Sequence, residues 1–177
     1  MACVRATGPV HSLRTGPVTR AQAAPRGSRE TPPVADIEAR VLEAVDERRS
    51  VMLDDASALV RIPSVGGTEA EVEVQATLAE RLRRSGYEVD HWRLDLDALR
   101  AHPDFPGMEV DRTEAWGLVG RLPGTGDGAS LLLNGHTDVV PIGDEEAWEE
   151  PPFGGLLRGG RLFGRGACDM KAGLVAA

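Results

Sequence analysis

Three consecutive leucines, residues 131–133, run without a turn into the polar segment NGHTD at residues 134–138. A short, continuously apolar run is typical of a strand that is buried on both faces of a sheet. Because residues two apart in a strand point to the same face, we expect His136 and Asp138 to lie side by side just beyond this strand. Open α/β folds form their binding crevices at the carboxyl ends of such strands, so this segment is the first candidate for a functional site.

Two helices are predicted before this strand. Apolar residues recur at helical spacing over residues 37–59. Pro63 should end the first helix, because the residue before a proline disfavours the α region. Thr68 and Glu71 form a capping-box pattern that predicts the start of a second helix, and Gly86 is suited to stop it.

Further strands are predicted at residues 87–94, at residues 116–122 and near residues 161–163. Helices that alternate with strands indicate an α/β layered domain. The glycine-rich turn at residues 123–128 could be mistaken for a dinucleotide-binding loop, but such a loop opens a helix. This turn leads into the leucine strand instead. We interpret it as a hairpin turn, and nucleotide binding is not expected.

Composition excludes several classes of protein. The 177 residues include 20 Lys+Arg and 28 Asp+Glu, which gives a net charge of −8. An acidic chain of this kind lacks the clustered cations that general nucleic-acid binding needs, and no apolar run approaches the ~20 residues that span a bilayer. Two cysteines, Cys3 and Cys168, are too few for a disulfide-rich secreted scaffold. We therefore expect neither nucleic acid nor a membrane as a partner.

The first 29 residues contain five arginines and no acidic residue. This composition resembles an organellar transit peptide, and it also suits a disordered tail or an extension upstream of the true start. The disordered tail or upstream extension is favoured over the transit peptide, so we predict a disordered basic leader over residues 1–33 and a folded domain over residues 34–177. Because the leader lacks the apolar core of a secretory signal, we expect the protein to be cytoplasmic.

A second polar motif, GRGACDMK at residues 164–171, leads into small residues that predict the first turns of a helix. Asp169 should lie just before that helix, where the helix dipole and free N–H groups favour an ionised carboxylate. Such an aspartate is a candidate to bridge two divalent cations, although Asp169 alone also fits an ordinary helix N-cap. His136 with Asp138 likewise fits either a local hydrogen bond or a metal ligand that a carboxylate orients.

Taken together, the two motifs resemble the M20 family of metallopeptidases and amidohydrolases. The resemblance covers roughly residues 35–177, and within the family the chain looks closest to acetylornithine deacetylase and succinyl-diaminopimelate desuccinylase. It rests on LLNGHTDVVP at residues 132–141, on Trp148, on Pro152-Phe153, on Gly164-Arg165-Gly166 and on Asp169-Met170-Lys171. Ile62-Pro63-Ser64 also fits the family pattern, whereas Ala172 stands where the family often has glycine.

The resemblance implies a three-layer α/β catalytic domain of the zinc-dependent exopeptidase type. It implies that His136 is a terminal ligand of one metal ion, that Asp169 bridges two ions, and that Asp138 orients His136. The implied cofactors are two divalent ions, zinc or, as a substitute, cobalt. The implied reaction is hydrolysis of an amide or peptide bond in a small N-acyl amino acid or peptide. The Asp169–Met170 peptide bond is a candidate for a cis bond.

In the family, the glutamate base, the other metal ligands and a dimerisation domain lie downstream of the second motif. Glu145-Glu146 and Glu149-Glu150 precede that motif, and we interpret them as solvated loop charge. We therefore predict that the chain is a truncated, N-terminal part of the catalytic domain that is inactive alone, with a homodimer possible only for the full-length protein. The alternative is a non-catalytic remnant or an interaction module.

Three other side chains of the second motif receive structural interpretations. Cys168 is expected to be a small, partly buried thiol rather than a nucleophile. Lys171 and Arg165 are expected to anchor the loop around the metal site, with substrate contact as the alternative.

Overall fold

A computed structural model describes residues 33–124 and 129–177. Packing divides the chain into two units, residues 1–41 and residues 42–177. Residues 1–32 of the predicted leader and residues 125–128 of the predicted hairpin turn lie outside the described part. None of the helices in that part combines the length and the apolar character that crossing a bilayer requires.

Helix α1 (Val34–Val60) contains the predicted first helix. Its last turns carry buried residues, among which Leu59 and Val60 are fully enclosed, whereas apolar residues of its first half are exposed. The helix ends three residues before Pro63, as the restriction on residues that precede proline predicts.

Helix α2 (Glu69–Arg84) confirms the predicted second helix, although its start is stabilised differently. The hydroxyl of Thr68 donates to the carbonyl of Val65 at 2.7 Å, and the carboxylate of Glu71 accepts from the backbone N–H of Gly67 at 2.7 Å. Neither side chain makes the capping-box bond. The carboxylate of Glu71 also forms a partly buried ion pair with Arg112 at 2.7 Å. Gly86, with a φ of +83°, follows the end of α2 as predicted.

Strands β1 (Glu88–Arg93) and β2 (Trp116–Arg121) form an antiparallel pair, and the short helix α3 (Leu96–Arg100) lies between them in the chain. Helix α2 packs against both strands. Both strands lie within the segments predicted from the sequence.

Strands β3 (Leu156–Arg158) and β4 (Arg161–Phe163) form a second antiparallel pair. Two glycines connect them, and both have positive φ, +58° at Gly159 and +74° at Gly160, as a tight two-residue hairpin turn requires. A short 3₁₀ helix (Glu145–Ala147) precedes this pair, and helix α4 (Ala172–Ala176) follows it.

The prediction that the leucines at residues 131–133 form a buried strand is wrong. Leu131 and Leu132 are 81% and 86% exposed. A fully apolar strand is buried only when other strands pair with its edges and other elements cover its faces. Within residues 33–124 and 129–177, pairing near this segment is limited to one parallel bridge between Val65 and Val139.

Helices with two small sheets are consistent with part of an α/β fold. Within the described residues the strands form two separate two-stranded sheets rather than one layer. The three-layer exopeptidase-type domain therefore stays a prediction.

We expect Leu59→Ala to lower the free energy of unfolding by about 2–5 kcal/mol, because it removes a fully buried side chain. Leu42→Ala is the matched control: it makes the same change in the same helix, but Leu42 is 66% exposed, and we expect about 0.5 kcal/mol or less. Urea denaturation measures both values. Equal losses would contradict the placement of the core at the end of α1.

Candidate functional site

The two motifs predicted from the sequence meet in the structure. Nε2 of His136 lies 3.0 Å from Oδ1 of Asp169, although the two residues are 33 positions apart in the chain. The side chain of Asp169 is largely exposed, so the contact lies at the surface rather than in the core. A cation that binds there can arrive from solvent.

The segment that carries His136 is extended, with alternating burial. Thr137 and Val139 are buried, while His136 and Asp138 lie on the open face. This alternation agrees with the expectation that residues two apart share a face. The parallel bridge to Val65 therefore fixes which side of this segment faces solvent.

Asp138 contacts the other imidazole nitrogen of His136. Nδ1 lies 3.0 Å from the backbone carbonyl oxygen of Asp138 and 3.4 Å from its carboxylate oxygen Oδ1. An acceptor on Nδ1 keeps the proton on that nitrogen and leaves Nε2 to face a cation. In this structure the carbonyl is the nearer of the two acceptors, a detail that spacing in the sequence could not show.

The protonation of His136 follows from these contacts. Partial burial disfavours the charged imidazole, but the hydrogen bonds to Asp169 and to the Asp138 carbonyl, together with the two carboxylate charges, outweigh it and raise the pKa of His136 above 6.5. Each ring nitrogen faces an acceptor, and only the imidazolium form carries a proton on both nitrogens. The arrangement therefore favours a positive charge between Nε2 and the Asp169 carboxylate.

The loop that carries Asp169 is closed by its own backbone. The N–H of Lys171 donates to the carbonyl of Gly166 at 2.9 Å, and the residues between form an irregular helical turn in which Asp169 and Met170 depart from helical geometry. The Asp169–Met170 peptide bond is cis, as the resemblance implied. Asp169 therefore precedes α4 without being part of a regular helix.

Glycine is required at position 166 for two reasons. Its φ is +83°, a conformation that side chains disfavour, and an added Cβ would lie 2.6 Å from Cγ1 of Val139. Gly135 is similarly confined, because an added Cβ would lie 3.0 Å from Cε of Met170 and 3.0 Å from Cδ1 of Leu174. Both glycines let the two motifs pack against each other.

Two buried polar side chains support the motifs from behind. Ser64 is fully buried and donates from Oγ to the carbonyl of Thr137 at 2.7 Å. Lys171 is fully buried and donates from Nζ to the carbonyls of Leu59 and Ile62 at 2.9 and 2.7 Å. Burial lowers the pKa of Lys171 to about 8. The hydrogen bond of Ser64 to this motif could not be predicted from the sequence, because a serine after a proline has no distinctive signature.

The remaining residues singled out from the sequence have varied positions. Cys168 is exposed rather than partly buried, because the irregular turn projects it outward. The guanidinium of Arg165 lies 5.0 Å from the ring centroid of Trp148, so it packs on the loop as predicted. Glu145 and Glu146 lie exposed in the 3₁₀ helix.

The donor set suits part of a zinc or cobalt site. Imidazole nitrogen and carboxylate oxygen are both zinc ligands, and two ligands of one tetrahedral zinc ion stand about 3.3 Å apart. The His136–Asp169 distance of 3.0 Å is close to that value. Across residues 33–124 and 129–177, no group of three or more His, Cys, Asp or Glu side chains is arranged to hold a metal ion. The pair therefore fits a metal but does not complete its coordination.

We expect Asp169→Asn to lower the pKa of His136, because the change removes the negative charge that lies beside Nε2. Asp90→Asn, which removes the same charge from an exposed position on β1, is the control and should leave that pKa unchanged. A pH titration of the His136 imidazole by NMR measures both. An unchanged pKa in Asp169→Asn would show that the contact does not form in solution.

Comparison with protein families gives a match to part of the chain. Residues 132–177 match the model of peptidase family M20/M25/M40. The matched range begins within the leucine run and contains both His136 and Asp169. The match supports membership of the chain in the M20 family and, with it, a metal-dependent hydrolase.

Proposed function

We propose that the chain carries part of the metal centre of an M20-type hydrolase that cleaves amide or peptide bonds. The observation that carries this proposal is the 3.0 Å contact between Nε2 of His136 and Oδ1 of Asp169. Two ligand-type atoms from separate motifs converge there on the open side of the molecule. The family match over residues 132–177 supports the same conclusion.

We assign one role to each of the three residues. His136 is a ligand of one ion through Nε2, and Asp169 is a carboxylate shared between two ions. Asp138 orients His136 by accepting a hydrogen bond from Nδ1. Its backbone carbonyl oxygen lies 3.0 Å and its carboxylate oxygen 3.4 Å from that nitrogen. With one proton held on Nδ1, loss of the proton from Nε2 leaves a lone pair on that nitrogen that can bind an ion.

Divalent ions at such a centre polarise the substrate carbonyl and lower the pKa of a bound water. The chain's own contribution is to gather two carboxylates and an imidazole at one place, and the imidazole can bind an ion once Nε2 has lost its proton. Thr137 and Val139 are buried on either side of Asp138, so the backbone of the motif cannot rotate its two open-face side chains away. The described residues supply two of the four ligands that zinc prefers, so hydrolysis needs ligands beyond this pair.

We propose a small N-acyl amino acid or peptide as substrate, in the manner of acetylornithine deacetylase or succinyl-diaminopimelate desuccinylase. The support is the detailed resemblance of residues 132–141 and 164–171 to those members of the family. Calorimetric binding of a panel of N-acetyl and N-succinyl amino acids to the chain in the presence of Zn²⁺ tests the substrate class, because binding does not require the ligands that hydrolysis needs.

A non-catalytic remnant or interaction module is the second candidate. The observation in its favour is that the described residues hold no set of three metal ligands. The two candidates differ in metal binding, because a remnant has no need of an ion between His136 and Asp169.

We expect the chain to bind Zn²⁺, and we expect His136→Ala and Asp169→Asn each to weaken binding by more than about 100-fold, because each removes a direct ligand and even outer-shell losses cost 10–100-fold. His102→Ala is the control, since His102 is an exposed histidine in another part of the chain. Isothermal titration calorimetry with Zn²⁺ alone measures the affinities. Absence of Zn²⁺ binding, or equal binding by all variants, would favour the remnant.

Zinc affinity should rise with pH, because the ion replaces the proton on Nε2 of His136. The raised pKa of His136 extends this dependence above pH 6.5. Well below that pKa we expect about a tenfold gain in affinity per pH unit, and above it a plateau. Titrations across this range measure the slope. A slope that persists unchanged in His136→Ala would show that another group releases the proton.

A further inference from the structure

The end of α1 contacts both motifs of the candidate site. We name residues 59–66 the anchor segment: they comprise the last two residues of α1 and the turn and bridge residues that follow it. Ser64 in this segment bonds to the motif of His136, and two of its carbonyls accept bonds from the residue two positions after Asp169. One short stretch of backbone therefore supports both candidate ligands.

Three hydrogen bonds join the anchor segment to the His136 motif. Oγ of Ser64 donates to the carbonyl of Thr137 at 2.7 Å. The N–H of Val139 donates to the carbonyl of Ser64 at 2.9 Å, and the N–H of Gly66 donates to the carbonyl of Val139 at 3.2 Å. Because Thr137 lies between the two open-face residues of the motif, these bonds fix the direction in which the imidazole leaves the backbone.

Lys171 joins the anchor segment to the Asp169 loop. Its ammonium is fully buried and donates to the carbonyls of Leu59 and Ile62. No carboxylate in the described parts of the chain lies within ion-pair distance of it, so the carbonyls at the end of α1 and the negative end of the helix dipole stabilise its charge. The loop that holds Asp169 is thereby fastened to the helix end.

Lysine at this position is exceptional for this chain. It is the only lysine among 20 basic residues, and all the others are arginine. An added Cβ on Gly166 would lie only 3.2 Å from Cδ of Lys171 and 3.4 Å from Cε, so the stem is closely enclosed. A compact ammonium fits two converging carbonyls, whereas a planar guanidinium with five N–H donors requires more space and more acceptors.

We propose that Ser64 and Lys171 are positioning residues that set the distance between His136 and Asp169 through the anchor segment. The proposal rests on the function proposed above, because the purpose of that distance is to hold a metal ion. Neither side chain touches the ion or substrate. Their contribution is to hold two backbone segments against a common support, so that little rearrangement is needed when an ion binds.

Three variants test this proposal. Ser64→Ala and Lys171→Met each remove one link to the anchor segment. Ser57→Ala is the matched control, because Ser57 is also a buried serine near the end of α1, and its hydroxyl also donates to a backbone carbonyl, that of Gly155 at 2.5 Å. Gly155 precedes β3 and belongs to neither motif. Urea denaturation of each variant reports its effect on folding.

The first measurement is the affinity for Zn²⁺ alone. We expect Ser64→Ala and Lys171→Met to weaken Zn²⁺ binding by about 10–100-fold, the range found when the support of a ligand is removed. Ser57→Ala should bind Zn²⁺ like the unchanged chain. Unchanged affinity in Ser64→Ala, or equal weakening in Ser57→Ala, overturns the proposal. If Lys171→Met does not fold, the comparison of the two serine variants decides it.

The second measurement needs no metal. The ¹⁵N resonance of Nε2 in His136 reports its hydrogen bond to Asp169, and Asp169→Ala, which has no side-chain acceptor, supplies the value without that bond. We expect Ser64→Ala and Lys171→Met to move the resonance towards the Asp169→Ala value and Ser57→Ala to leave it in place. An unmoved resonance in Ser64→Ala overturns the positioning role. Absence of Zn²⁺ binding by the unchanged chain instead overturns the proposed function, so the two failures are distinguishable.

Discussion

The carbonyl groups at the end of α1 are the constraint on which the arrangement of the site depends. A helix leaves its last carbonyls without intrahelical partners, and buried carbonyls must find donors elsewhere. Here a buried ammonium, that of Lys171, donates to one such carbonyl, that of Leu59, and to the carbonyl of Ile62 just beyond the helix. A general requirement of helix ends thus becomes a link between α1 and the loop of Asp169. The residues that follow the helix form a similar link with the segment of His136.

The contact between His136 and Asp169 shows how a site can be prepared for a cation before one binds. In the structure a proton satisfies both the imidazole and the carboxylate, and the neighbouring carboxylates raise the pKa of His136 against the effect of its burial. A metal ion that enters replaces one positive charge by a larger one at the same place. The electrostatics that favour the proton therefore also favour the ion, and the two compete.

Much of the local structure could be predicted from the sequence, because short-range rules govern it: Pro63 limits α1 and Gly86 follows α2. Strands β1 and β2 also lie within the predicted segments. The proximity of His136 and Asp169 followed from the resemblance rather than from spacing. The exposure of Leu131 could not be predicted, since it depends on which strands lie beside this residue. The role of Ser64 was also inaccessible, because its partner is 73 residues away and is a backbone carbonyl.

The single lysine gives this chain an unusual chemical property. Apart from the N-terminus, Lys171 carries the only primary amine, and that amine is completely enclosed. A reagent that acylates amines, or a protease that cleaves after lysine, reaches this side chain only when the loop separates from the helix. Local openings of this kind occur in folded proteins with free energies below that of global unfolding. The rate of acylation at Lys171 therefore measures how often the loop separates from the helix. The arginines elsewhere in the chain do not react with such reagents and do not contribute to the signal.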